Sequence, residues 1–238
     1  MQALGIDGCR AGWLYVTQDL ASGALSAGIF RRIDEILAFD PRDTVAGIDI
    51  PIGLTEKGPR PCELEARKLL GRPRASSVFP VPVRPVLSAR SYRQACSLGM
   101  RADGRKINRQ TWNIVPKIRE VDAFLTAHPA YQATVKEVHP ELCFRHWNRD
   151  MPMSHSKKSA EGRADRERLV VSFFGPAFSA ARASLLCRLP RRSCWAHDDL
   201  LDACAALWTA CRIARGVAVS IPADPPRDGR GLWMRITF

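Results

Sequence analysis

The 238-residue chain has no run approaching the roughly 18 consecutive apolar residues that a membrane span needs, and Met1 leads directly into a strand-like segment. Secretion and membrane insertion are therefore not expected, and a cytoplasmic domain is. It also lacks paired cysteines. Its eight (Cys9, Cys62, Cys96, Cys143, Cys187, Cys194, Cys204 and Cys211) include no C-x-x-C, which excludes a zinc ribbon and predicts reduced, partly buried thiols. Nucleotide fingerprints are missing too. There is no Walker A sequence, and Gly5-x-Asp7-Gly8 is too short for the G-x-G-x-x-G that opens a dinucleotide-binding helix. Lysine is scarce, at 7 residues against 29 arginines.

What is present is ordinary for a folded domain: 46% apolar and 25% charged residues, which excludes disorder. The length suits one large domain, or one domain carrying an insertion. Lys and Arg total 36 against 24 Asp and Glu, a formal charge of +12. The planar fork of arginine suits phosphate, so nucleic acid is the first partner to consider. A GC-rich genome would also favour Arg codons, without any functional demand.

Along the chain, residues 3–7, 13–16 and 24–31 read as three strands joined by tight turns, an antiparallel meander. A short helix follows at 33–39, then a continuous apolar run at 44–50 that fits a strand buried on both faces. Helices are expected near 62–70, 88–98 and 111–127, with Pro116 starting or kinking the last, and 99–109 as a basic loop. A fifth strand at 133–138, helices around 163–174 and 198–215, and a terminal strand at 232–238 complete the order. Three meandering strands, then strands separated by helices, describe an α/β mixed sheet with helices on its faces. Ribonuclease H-like domains have this order. The expectation is a single such domain over 1–238, with a helical insertion at about 55–130.

Acids stand at the element ends. Asp7 closes the first strand, and Asp49 sits near the end of the fourth. If those strands are parallel neighbours, the two carboxylates face one another in the crevice where open α/β sheets bind ligands. Glu137 extends the row from the fifth strand, and Asp199 and Asp202 share one face of the last helix at i, i+3. Such a cluster needs cations, and carboxylate oxygens suit Mg²⁺ or Mn²⁺. Two ions about 3.5–4 Å apart can activate water and stabilise a leaving oxygen in phosphodiester cleavage. Each acid also has a plainer reading: Asp7-Gly8 as a turn, Asp49 as a loop cap, Asp198-Asp199 as a helix cap, Glu137 as a strand charge.

Several stretches together carry a resemblance: Gly5-Ile-Asp-Gly-Cys-Arg-Ala-Gly-Trp13, Gly47-Ile-Asp-Ile-Pro-Ile-Gly-Leu54, Ser76-Ser-Val-Phe-Pro-Val-Pro82, Pro116-Lys-Ile-Arg-Glu-Val-Asp122, Glu137-Val-His-Pro-Glu141 and Asp198-Asp-Leu-Leu-Asp-Ala203. The chain resembles the DUF429 family, regarded as predicted nucleases of ribonuclease H-like fold. The last stretch is also similar to the Asp-x-x-Asp-Ala helix of Holliday-junction resolvases, which maps their helical acids onto Asp199 and Asp202 and their first-strand acid onto Asp7. Their fourth-strand acid is a Glu, whereas this chain has the shorter Asp49. Resolvases act as dimers, which makes a homodimer one assembly to test.

The resemblance implies that Lys157, Lys158 and Arg163, beyond the fifth strand, face substrate and hold phosphates; a solvated basic loop is the plainer alternative. Arg72, Arg74 and Arg84 flank residues 76–79, where charge with stacking could bind a strand; a loop packing Phe79 into the core is the plainer alternative. Gln110, Trp112, Lys117, Arg119, Glu120 and Asp122 suggest a lid or a stabilising helical layer. His139 and His197 lie close in sequence to the acids, although a lone His is more often structural. The leading expectation is a divalent-metal-dependent nuclease with Asp7, Asp49, Asp199 and Asp202 as ligands and Glu137 as a further catalytic acid. A phosphotransferase of the actin and sugar-kinase type, or a non-catalytic nucleic-acid-binding module on the same fold, are the alternatives.

Overall fold

The computed structural model describes residues 1–189 and 193–238, and the chain divides into two compact units. The first contains Met1–Asp49, Ala133–Val219 and Thr237–Phe238. Its five-stranded sheet has β1 (Gln2–Cys9), β2 (Gly12–Asp19), β3 (Leu25–Phe30), β4 (Thr44–Ile48) and β5 (Val135–Glu137) in the order β3-β2-β1-β4-β5. The meander β1-β2-β3 is antiparallel, and β1, β4 and β5 run parallel. The expected mixed α/β sheet is therefore present. β4 is buried at every position, as its unbroken apolar run requires of a strand covered on both faces.

The short α1 (Ile33–Ile36) links β3 to β4. After β5 come α5 (Pro140–Trp147), α6 (Ala160–Arg188) and α7 (His197–Ala214). α7 is buried at all twelve positions from Leu200 to Cys211, because the sheet covers one side and α5 and α6 the other. Among the described helices, α6 alone is long and apolar enough to cross a membrane by composition. Its buried residues Val170, Phe174, Phe178, Ala181 and Leu185 form one stripe at helical spacing, and the helix packs against β3 and α7. It also breaks at Gly175, whose φ is 57°, just before Pro176.

The second unit contains Ile50–Gln132 and Ser220–Ile236, so the residues expected as an insertion at 55–130 are joined there by a segment from near the C-terminus. Its helices are α2 (Pro61–Arg74), α3 (Tyr92–Asp103) and α4 (Arg109–Ala127). The Ser91 hydroxyl caps α3 by accepting from the Gln94 N–H at 3.2 Å, and Asn108 caps α4 by accepting from Thr111 at 2.7 Å. α4 continues through the exposed Pro116 rather than starting there. Val83, Val86, Ala89, Ala95 and Val115 form one core cluster of this unit.

Near the C-terminus, β6 (Ser220–Ile221) and β7 (Ile236–Thr237) are two residues each, so the expected strand at 232–238 is mostly irregular. Five of the eight cysteines are buried, as small apolar side chains would be.

Candidate active site

β1 and β4 pair as far as Ile6 and Ile48, and the Asp49 N–H donates to the Ile6 carbonyl at 2.9 Å. The next rung sets Asp7 beside Asp49. Side chains alternate along a strand, so both acids share a face with Gly5 and Gly47, two residues earlier. α7 covers that face. A Cβ on Gly5 would lie 2.0 Å from the Ala203 carbonyl oxygen, and one on Gly47 would lie 2.6 Å from that of Ala206. These two glycines let helix backbone rest directly on sheet backbone. Because residues 203–207 lie over Gly5, the first turns of α7, with Asp199 and Asp202, lie toward Asp7 and Asp49.

The result is a crowd of buried and half-buried carboxylates. Asp7 is 8% exposed, and its carboxyl is held well above the usual carboxylate range by burial first, then by Asp49, Asp202 and Asp199. Burial, followed by Asp202, pushes Asp49 up to about 8. Asp199 is raised to about 6, chiefly by burial, although its carboxylate accepts from the Ala196 N–H at 2.8 Å. Both plain readings at these positions coexist with the cluster. Asp199 does cap α7, and Asp7 accepts from the Gly8 N–H at 2.7 Å as in a turn.

One cation enters the crowd. The Lys157 ammonium donates to Asp202 Oδ2 at 2.6 Å, and Asp202, Asp49 and Asp7 hold its pKa far above the ordinary lysine value. The second oxygen of Asp202, Oδ1, is buried with no hydrogen-bond partner among the described residues. An orphaned carboxylate oxygen is costly in a protein interior and asks for a further positive or donating group. The donor set is all oxygen, which fits a hard divalent cation such as Mg²⁺ or Mn²⁺. Among the described residues, no three His, Cys, Asp or Glu side chains stand close enough to hold an ion as they are arranged. Among the described residues, Lys157 is the cation that meets these acids.

The other expected residues fall at different places. Glu137 pairs with Ile48, one rung before Asp49, so strand alternation turns it to the face opposite α7, where it is 5% exposed. Its charge still raises Asp49. Lys158 is exposed, and the Arg163 guanidinium donates to the Lys158 carbonyl at 2.6 Å. Arg74 lies in the second unit, at the end of α2. Arg84 is committed to Asp122, at 2.9 Å, and to Asp228, so it is a structural cation rather than one waiting for a strand. His197 lies 3.3 Å from Glu167 on α6. His139 precedes α5, where its carbonyl accepts from Leu142 and Cys143.

Two features escaped sequence reasoning. Arg166, 1% exposed, donates through Nη2 to both Glu141 oxygens at 2.6 and 2.9 Å, tying α6 to α5, and the Glu141 charge reaches Asp49. Glu141 belongs to a stretch that carried the resemblance, but nothing local pointed to a partner 25 residues away. Cys143 accepts from the Thr209 hydroxyl at 3.2 Å, and burial pushes its thiol up to about 12, which makes it inert.

The family described as protein of unknown function (DUF429) matches residues 5–227. No curated protein and no solved structure matches the chain. The matched span takes in both parallel strands with Asp7 and Asp49, Glu137, and the helical pair Asp199 and Asp202, and the chain belongs to the DUF429 family.

Proposed function

We propose that this chain is a divalent-metal-dependent nuclease of ribonuclease H-like type, hydrolysing phosphodiester bonds with the carboxylates at the ends of β1, β4 and the start of α7. The observation that carries the reading is Asp202: one oxygen on Lys157, the other buried and unpartnered, beside two further carboxylates whose charge is suppressed. A fold gains no stability from such an arrangement. Perturbed carboxylates held together against electrostatic cost are the usual mark of a chemical site.

Asp7, Asp49 and Asp202, with Asp199 beside them, are the ligands proposed for the cation. When bound, it would supply Lewis-acid stabilisation of negative charge developing on a phosphoryl group. The chain's own residues account for the rest. With Asp49 raised to about 8, a proton is retained near the site at neutral pH until a cation displaces it. Lys157, once exchanged from Asp202, would meet a phosphate oxygen, the role the resemblance implies for it. The N-terminus of α7 adds a positive dipole end near the same acids. The Arg166–Glu141 pair fixes α5 against α6 beneath the Lys157 loop, where Arg166 also donates to the His155 carbonyl at 3.2 Å.

Labelled single-stranded, duplex, branched and RNA–DNA hybrid substrates with Mg²⁺ or Mn²⁺ test this directly. Cleavage is expected with metal, and its loss in Asp7→Asn and Asp202→Asn, both checked for folding by circular dichroism. Intact substrates under all metal conditions, or undiminished cleavage by the variants, would overturn the assignment.

A further inference from the structure

The charge surplus of the chain is not spread evenly. Between residues 90 and 109 stand Arg90, Arg93, Arg101, Arg105, Lys106 and Arg109, with Asp103 as the only acid. That is +5 within twenty residues of a chain whose whole surplus is +12. All six cations are exposed, and among the described residues none forms an ion pair with a carboxylate. Asp103 offsets one of these charges at most, and one of its oxygens accepts from the Gly58 N–H at 2.7 Å.

These residues border two recesses within the second unit. One, of about 490 Å³, is walled by Leu64, Val81 and Ile107, with Arg105 and Lys106 among its lining residues. The other, of about 760 Å³, follows the face of α3 through Arg93, Met100 and Arg101, and Lys106 lines both. Both fall in the roughly 300–1,000 Å³ range of pockets that take small organic groups. The hydrogen-bonding capacity is one-sided. Glu63, the other acid at the first recess, bonds Arg60 at 2.9 Å and Arg67 at 3.3 Å, so the acids are engaged while the cations are open. Arg109 lies 3.9 Å over the Tyr92 ring, which holds one guanidinium flat beside α3. The scaffold is firm: both helices are capped, and α3 and α4 pack on the same core cluster.

We infer that the arc from Arg90 to Arg109 is a docking surface for single-stranded nucleic acid, with phosphates on the six cations and bases entering the two recesses. The choice of polyanion rests on the nuclease reading, while the surface rests on its own charge and shape. A membrane is disfavoured, since Met100 is the arc's one large apolar side chain with substantial exposure. A duplex keeps its bases stacked inside and would leave the recesses unused.

The test is binding of a fluorescein-labelled 20-nucleotide oligothymidine by full-length protein in EDTA, over a salt series. Arg93→Glu/Arg105→Glu/Lys106→Glu is compared with Arg32→Glu/Arg42→Glu/Arg168→Glu, which changes net charge equally at exposed cations elsewhere. The arc variant should bind at least about tenfold more weakly, and its salt slope should fall by about 2. The control should stay within about twofold of wild type. Equal weakening by both variants, or none by the arc variant, overturns the inference. So does tighter binding of a 20-bp duplex, or binding to phosphatidylserine vesicles without binding to the oligonucleotide. EDTA separates the two readings. Arc-dependent binding by a protein that never cleaves sinks the nuclease assignment alone, and metal-dependent cleavage by a protein whose binding ignores the arc sinks this inference alone.

Discussion

Two groups of largely buried carboxylates, one in each unit of this protein, are treated in opposite ways. In the second unit Asp228, Asp122 and Glu63 are each met by arginine, and Asp228 also accepts backbone N–H groups from Leu54, Arg230 and Leu232. Burial alone would raise Asp228, yet those hydrogen bonds hold it below the usual carboxylate range. In the first unit Asp7, Asp49 and Asp202 share one lysine, and burial together with mutual repulsion raises Asp7 and Asp49. The same side chain in the same low-dielectric setting is structural where its hydrogen bonds are complete. Where they are incomplete its charge is suppressed, and the proposed cation would complete the set.

The strongest way to break this contrast is to lift α7 from the sheet. Gly5→Val would drive a side chain into the Ala203 carbonyl, and we expect a loss of more than about 4 kcal/mol in urea unfolding. Retained stability would mean that α7 does not bring its acids down on Asp7. Next in size is the structural network. Arg84→Met should cost about 3 kcal/mol by removing the cation that Asp122 and Asp228 share, with no effect of divalent metal on the loss. A metal-dependent rescue there would erase the distinction between the two units.

Lys157→Met should cost less, about 1–2 kcal/mol, because 38% of that side chain stays accessible to solvent. Here thermal scans with and without Mn²⁺ should differ: the ion is expected to restore the lost stability, as a replacement for the missing ammonium. Absence of any metal-dependent rise in Tm would argue that Lys157 is a plain ion-pair partner.

A separate test is the pH slope. Asp49 titrates near 3.8 when unfolded and at about 8 in the fold, so between those values the folded state holds the extra proton. Metal-free stability should therefore decline as pH rises from about 4 towards 8 and then level off as far as this group is concerned. Asp49→Asn should flatten that decline. An unchanged slope would show that Asp49 does not carry the strain.

How far the sequence revealed this depends on distance along the chain. β1 and β4 are legible because each apolar run stops at an acid, and their parallel pairing follows from the order of elements. The helical acids are legible because i, i+3 spacing is local. α5 is not: Leu142, Cys143 and Phe144 are consecutive apolar residues with no helical period, following Pro140. α6 was expected only around 163–174, because Gly175-Pro176 reads as a stop although the helix resumes beyond its break. The Lys157–Asp202 and Glu141–Arg166 pairs span 45 and 25 residues and are set by tertiary packing alone. Arg84 looked like a free cation for the same reason, since its partners lie 38 and 144 residues away.

The most direct measurement is calorimetric titration of Mn²⁺ into metal-free protein and its Asp202→Asn variant at neutral pH. Saturable binding to the wild type that disappears in the variant is the expected result. Equal binding by both, or no binding by a folded wild type, would contradict the claim that these carboxylates are kept for a cation.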